Sequence, residues 1–272
     1  MVSHQYQVTI YRAGQLQKLR NVRIHSPSIV QIISGSKRFF WQDAAIDISR
    51  STLLLCEACA SLSFENLPDK GRFLSRVFSF NCLPPESMLE LSMKRATTNL
   101  APILDADHAL QETLHALVSF DLNNMSGQTQ VFWLMGLYQQ LAERGALHHL
   151  FASTHTTFRQ KLSHYLSHTP GDEHPLDTVA ERFAMSRATL IRKLKQEGTA
   201  YREVLVEVRL NHALYLMQNG NCNVATLAHM CGYQSESRFG QRFKARFGLT
   251  PSGYLKTLTP FSSPYQANPS AR

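Results

Sequence analysis

The 272-residue chain has no run approaching the ~18–20 apolar residues of a membrane-spanning helix. Its first residues lack the charged-then-apolar layout of a secretory leader. Both absences point to a cytoplasmic protein with no membrane partner. Cysteine is scarce: five residues, an odd number scattered along the chain, do not make a disulfide framework. No glycine-rich phosphate cradle, nucleophile elbow or His-Glu-x-x-His pair is present, so neither an enzyme nor a cofactor is expected. Acidic residues are missing altogether before Asp43, whereas Arg12, Lys18, Arg20, Arg23, Lys37 and Arg38 all precede it.

What is present is positive charge, and it is unevenly placed. The formal net charge is +8. Residues 154–258 hold 14 Lys and Arg against 8 Asp and Glu, and residues 1–153 hold 13 against 12. The excess sits on one segment, as neutralising a phosphate backbone requires. Double-stranded DNA is the expected partner.

Hydrophobic periodicity divides the chain. Residues 5–11 alternate, with Tyr6, Val8 and Ile10 opposed to Gln5, Gln7 and Thr9, the signature of a strand. Further short strands are expected at 28–33, 38–41, 45–48, 52–56, 62–64 and 73–80, with Ser34-Gly35-Ser36 as a turn. Such a series predicts a β-barrel or sandwich, whose interior is either solid core or a small-ligand cavity. After Leu83-Pro84-Pro85-Glu86 the period becomes helical, at 88–96, 106–120 and 129–144. The last of these is apolar enough either to pack on the strands or to pair with a second copy. The fold class is therefore α+β, with residues 1–153 as a regulatory and dimerisation domain. Residues 154–258 form an all-α domain, and a Ser- and Pro-rich tail from 259 to 272 is expected to be disordered.

Within 154–258 one pattern occurs twice: an amphipathic helix, a tight turn, then a basic helix. In the first copy Leu176, Val179, Ala180 and Phe183 form a buried stripe, Ser186 is placed to cap the second helix, and Leu190 and Leu194 anchor it. In the second copy Val224, Leu227, Ala228 and Cys231 are the stripe, Gly232 allows the turn, Ser235 is the cap, and Phe239 and Phe243 are the anchors. A long apolar helix over 201–218 joins them. These are two helix-turn-helix units, and each second helix is a candidate for the DNA major groove. Two readers on one DNA face bind about one turn apart, ~34 Å.

At this level the segment from about 154 to 256 resembles the AraC/XylS-type DNA-binding domain. The matching residues are Ala180, Met185-Ser186, Leu190, Lys193-Leu194-Lys195, Arg209, Ala213 and Leu216, then Ala228, Cys231-Gly232-Tyr233, Ser237, Phe239, Arg242-Phe243-Lys244, Phe247-Gly248 and Thr250-Pro251-Ser252-Gly253-Tyr254. The wording around Lys193 to Thr199 and Tyr201-Arg202 is similar to the branch of enteric virulence, fimbrial and acid-stress activators. The resemblance implies a transcription regulator, an activator that recruits RNA polymerase. It implies base contacts from Ala188, Ile191 and Arg192 and from Glu236, Ser237, Arg238 and Gln241. Arg192 and Arg238 suit guanine, Gln241 suits adenine, and Ala188 and Ile191 suit a thymine methyl. Phosphate contacts fall to Arg187, Lys195, Arg242 and Lys244. The sequence departs from the family at Ser235, Arg238 and Leu255, where Asp, an aromatic and Arg are usual.

In that branch the N-terminal domain can bind a fatty acid, which makes Lys18, Arg20 and Arg23 candidates for its carboxylate; the domain is expected to sense a ligand or protein, to form a homodimer, or both. An antagonist protein docking on the N-terminal domain is the alternative mode of control. A DNA-repair alkyl-transfer enzyme carrying the same module is a remote rival, since it needs a reactive cysteine. Cys56-Glu57-Ala58-Cys59 offers a CxxC, but residues three apart on a strand face opposite sides and make no clamp. His148, His149 and His155 read as surface or loop residues, so no metal site is expected.

Overall fold

The computed structural model describes residues 4–96, 101–152, 157–220 and 223–258. His155, Cys222 and the expected tail lie outside these residues. Among the described residues the N-terminal half holds nine strands: β1 (Tyr6–Ala13), β2 (Gln17–Arg23), β3 (Ser28–Ser34), β4 (Ser36–Trp41), β5 (Ala44–Ile48), β6 (Thr52–Cys56), β7 (Ser61–Leu67), β8 (Phe73–Phe80) and β9 (Ile103–Asp105). They form two antiparallel sheets, in the orders β1-β8-β3-β6-β9 and β2-β7-β4-β5. The sheets are not closed into a barrel, so of the two expected architectures the layered one is realised.

Two strands have no counterpart in the expected series. β2 reads Gln-Lys-Leu-Arg-Asn-Val-Arg, and its pairing with β7 slips between Leu19 and Val22, with Asn21 at φ 54°. The bulge breaks the alternation that makes a strand visible in sequence. β9 is three residues long and is held by pairing to β6.

Helices α1 (Glu86–Arg95), α2 (His108–Ser119) and α3 (Gly127–Glu143) cover the five-stranded sheet. Asp107 caps α2 through the Leu110 amide and Ser126 caps α3 through the Thr129 amide. Leu134, Leu137, Tyr138 and Leu141 of α3 share one core with Tyr6, Ile29, Phe78 and Phe80. The apolar pattern of 129–144 is thus spent mainly on the strands, and Phe132 and Trp133 remain exposed on the far side.

The C-terminal half is helical: α4 (Phe158–Leu166), α5 (Leu176–Arg182), α6 (Arg187–Gln196), α7 (Tyr201–Asn219), α8 (Val224–Met230), α9 (Glu236–Phe247) and α10 (Pro251–Lys256). It has two cores. One gathers Leu162, Val179, Ala180, Leu190 and Leu194, the other Leu227, Phe239, Phe243, Phe247 and Tyr254. The long helix α7 belongs to both: Val204 and Val208 enter the first, and Leu210, Ala213, Leu214 and Met217 enter the second.

Candidate nucleic-acid interface and effector cavity

Each helix-turn-helix unit is built by a few local choices. Ser186 Oγ accepts from the Thr189 amide at 3.2 Å and Ser235 Oγ from the Arg238 amide at 3.3 Å, so both serines start α6 and α9 as the sequence predicts. The turns differ. The first places Ala184 at φ 50°, where a Cβ is crowded; the second places Gly232 at φ 72°. A Cβ on Gly232 would stand 2.7 Å from the Arg209 guanidinium, which donates to the carbonyls of Pro170, Asp172 and Gly232. Arg209 therefore pins α7 to the loop before α5 and to the second turn.

With Leu190 and Leu194 turned inward on α6, Arg187, Ala188, Ile191, Arg192 and Lys195 are all exposed. With Phe239, Phe243 and Phe247 inward on α9, Glu236, Ser237, Arg238, Gln241, Arg242 and Lys244 are all exposed. Ile191 leaves 48% of its surface to water, so its side chain is free to make apolar contact on the outward face of α6. Arg187 reaches Asp177 at 3.6 Å, but both are exposed and the pair holds it only weakly.

The three basic residues expected at an effector site part company. Lys18 is exposed and pairs with Glu65 at 2.8 Å. Arg20 lies against Gly248, at the end of α9. Only Arg23 lines the large cavity, of about 890 Å³, that runs from between the sheets to the junction with α4 and α7. Val8, Val30, Leu54, Leu62, Phe64 and Val77 give the cavity an apolar lining.

Its buried cation is a residue that sequence reasoning passed over, Lys37. Lys37 is 5% exposed, on the inner face of β4 with Phe39. The register pairs Lys37 with Asn66 and Asn66 with Gln17, so a polar row crosses β4, β7 and β2. Lys37 donates to Asn66, Asn66 to Gln17 at 2.8 Å, and Gln17 to Thr257 of the C-terminal half at 2.6 Å. The ammonium also lies 3.5 Å from the centre of the Phe64 ring. Burial lowers the Lys37 pKa to about 7, with Cys56 nearby opposing the shift. The signal was parity: Lys37 stands two before Phe39, and a strand reading begun one residue earlier places it inside.

The thiols offer little chemistry. Burial pushes Cys56 up to about 12 and raises Cys59 and Cys82, the reverse of what a nucleophile or a metal thiolate needs. Among the described residues no group of three or more His, Cys, Asp or Glu is placed to hold a metal ion, and no helix is long and apolar enough to cross a membrane.

Residues 179–257 match the sequence family described as a helix-turn-helix domain. The porin thermoregulatory protein EnvY of Escherichia coli strain K12 is 40% identical over 80 residues, 29% of this chain and 32% of that protein. The match thus spans about a third of EnvY's length. The transcriptional activator AggR of Escherichia coli is 20% identical over 255 residues, covering 89% of this chain and 94% of that one. Among solved structures, ToxT from Vibrio cholerae with a bound unsaturated fatty acid superposes with a TM-score of 0.62 at 16% identity, over 97% of this chain and 99% of that chain. That likeness is one of fold.

Proposed function

We propose that the chain is a sequence-specific transcription regulator of the AraC/XylS type, acting as an activator; its match to the helix-turn-helix family over residues 179–257 supports the reading. Residues 154–258 read DNA and residues 1–153 regulate the reading. The observation that carries this is the pair of serine-capped helices whose outward faces are exposed and carry Arg187, Arg192 and Lys195 on one and Arg238, Arg242 and Lys244 on the other. Ala188, Ile191 and Arg192, with Glu236, Ser237, Arg238 and Gln241, meet base edges. Arg187, Lys195, Arg242 and Lys244 meet phosphates and fix the register. Selection from a randomised duplex pool tests the reading: a two-part consensus supports it, and recovery of no enriched sequence refutes it. RNA polymerase recruitment is tested by transcription in vitro from a selected site.

A fatty acid is the effector class the cavity suits best. Val8, Val30, Leu54, Leu62, Phe64 and Val77 give it an apolar wall, a buried cation stands within it, and the similarly folded ToxT has been crystallised with such a ligand. The carboxylate is assigned to Lys37, with Arg23 at the junction end, in place of Lys18 and Arg20. Calorimetric titration with a long-chain unsaturated fatty acid should give heat that Lys37→Met abolishes. No heat and unchanged DNA affinity would end the idea.

The pH dependence follows from Lys37. Its pKa falls from an ordinary 10.5 to about 7 on folding, so between those values the unfolded chain binds more protons than the folded one. Stability therefore rises with pH from about 7 to 10.5, and below 7 the full cost of burying the ammonium is borne. Effector affinity runs the opposite way, weakening above about pH 7 as the free protein's ammonium is lost. Unfolding and titration series across that window check both slopes, and Lys37→Met should flatten them.

A further inference from the structure

One buried carboxylate gathers three arginines from three parts of the chain. Glu207, on α7, is 4% exposed. Its Oε2 accepts from Arg159 of α4 at 2.9 Å and from Arg246 of α9 at 2.9 Å. Its Oε1 lies 3.3 Å from Nε of Arg23, on β2. The first two are aligned hydrogen bonds, and the third is an ion pair without that alignment.

The line of contacts continues past Arg159. Glu197, immediately after α6, accepts from the backbone amides of Phe158 and Arg159 at 2.8 and 2.7 Å. Those are free amides of the first turn of α4, where a carboxylate is favoured by both hydrogen bonding and the helix dipole. The C-terminal end of α6 is thus tied to the start of α4. Arg159 ties α4 to Glu207, and Arg246 ties Glu207 to the last turn of α9.

The geometry points to Glu207 as the positioning residue that sets the spacing between the two recognition helices. It touches no DNA itself. It holds the far ends of α6 and α9 through Arg159 and Arg246, and the helix that carries it enters both cores. Charge-assisted bonds buried in this way are stiff, because losing one partner leaves the other charge buried and unpaired. Arg23 brings the N-terminal sheet onto the same carboxylate, so occupancy of the cavity it lines bears on the spacing. The inference rests on the DNA-reading function proposed above.

The test uses the full chain and duplexes carrying the selected two-part site, with one base pair inserted or deleted between the parts. For the unaltered protein, either change should weaken binding by roughly tenfold or more, the scale of one badly met base-pair step. Arg246→Gln and Arg159→Gln should bind the optimal duplex less well but shrink the spacing penalty to about threefold or less. Arg246→Lys, which keeps the charge, should restore most of it. Glu207→Gln strands three guanidiniums together and is the harshest variant, so the arginine variants carry the test if it does not fold. Equal weakening by Arg246→Gln at every spacing would show a merely structural role and overturn the inference. So would an unaltered protein indifferent to spacing. If the unaltered protein binds no duplex at all, the DNA-reading proposal falls and takes this one with it.

Discussion

The two helix-turn-helix units share a plan but not a setting. The first closes on its own core, in which Leu190 and Leu194 meet Phe158, Leu162 and Leu166 of α4. The second takes residues of the N-terminal half into its core: Leu19 is buried among Phe239, Phe243 and Phe247, with Val22 and Phe64 packed beside it. Around that seam Asn21 donates to the Arg246 carbonyl at 3.3 Å, and the amides of Gly14 and Gln15 donate to Thr257. Gln218 joins Arg12 to the Tyr254 hydroxyl. A signal arising between the sheets therefore meets the second reader directly. Among the described residues it meets the first through Glu207 and the cavity's edge at α4.

The outward faces differ in the same direction. The first offers Ala188, Ile191 and Arg192, and the second Glu236, Ser237, Arg238 and Gln241. The reader seated on the N-terminal half is also the one with more hydrogen-bonding groups.

Four comparisons between the units sharpen or break this picture. The largest effect is expected in the cores. Phe243→Ala should cost ~3–5 kcal/mol and loosen β2 as well, whereas Leu190→Ala, at ~2–5 kcal/mol, should leave β2 untouched. Denaturant unfolding with hydrogen exchange on residues 17–23 separates the two outcomes, and equal protection in both variants would break the comparison. Next come the turns. Gly232→Ala should cost ~1–3 kcal/mol, since it forces an alanine into left-handed backbone against Arg209. Ala184→Gly should instead be neutral or stabilising, because the native residue already bears that crowding. Thermal unfolding reads both.

On the outer faces, Arg238→Ala and Arg192→Ala should each cost ~1–3 kcal/mol at one base position. Selection over randomised sites should show the Arg238 change degrading more of the consensus, and the reverse ranking would move the main reader to the first unit. The smallest effect is expected at the caps. Ser186→Ala and Ser235→Ala should each cost ~1 kcal/mol and be indistinguishable in urea unfolding, because the two serines make the same bond at 3.2 and 3.3 Å.

The sequence was most legible where structure is local. The serine caps, the inward leucines and phenylalanines and the exposed basic faces follow from helical periodicity, and the first β-strand from alternation. What escaped depends on long-range pairing. β2 is interrupted by a bulge, and Lys37 owes its burial to a register with Asn66 that no local pattern announces. Glu207 looks like any helix-surface glutamate until Arg23, Arg159 and Arg246 are brought to it from 184, 48 and 39 residues away.

The seam that joins Arg12 to Gln218 and Gln17 to Thr257 also has a consequence in time. Its bonds span 206 and 240 residues, so they are among the last contacts available to a chain emerging from a ribosome. Until α9 is free, the N-terminal sheets present Leu19, Val22 and Phe64 to water, a small sticky patch awaiting its cover. A chain interrupted before α9 should fold its sheets and yet aggregate through them. Synthesis thus carries its own checkpoint: the half that would regulate becomes well-behaved only once the half that would read has arrived.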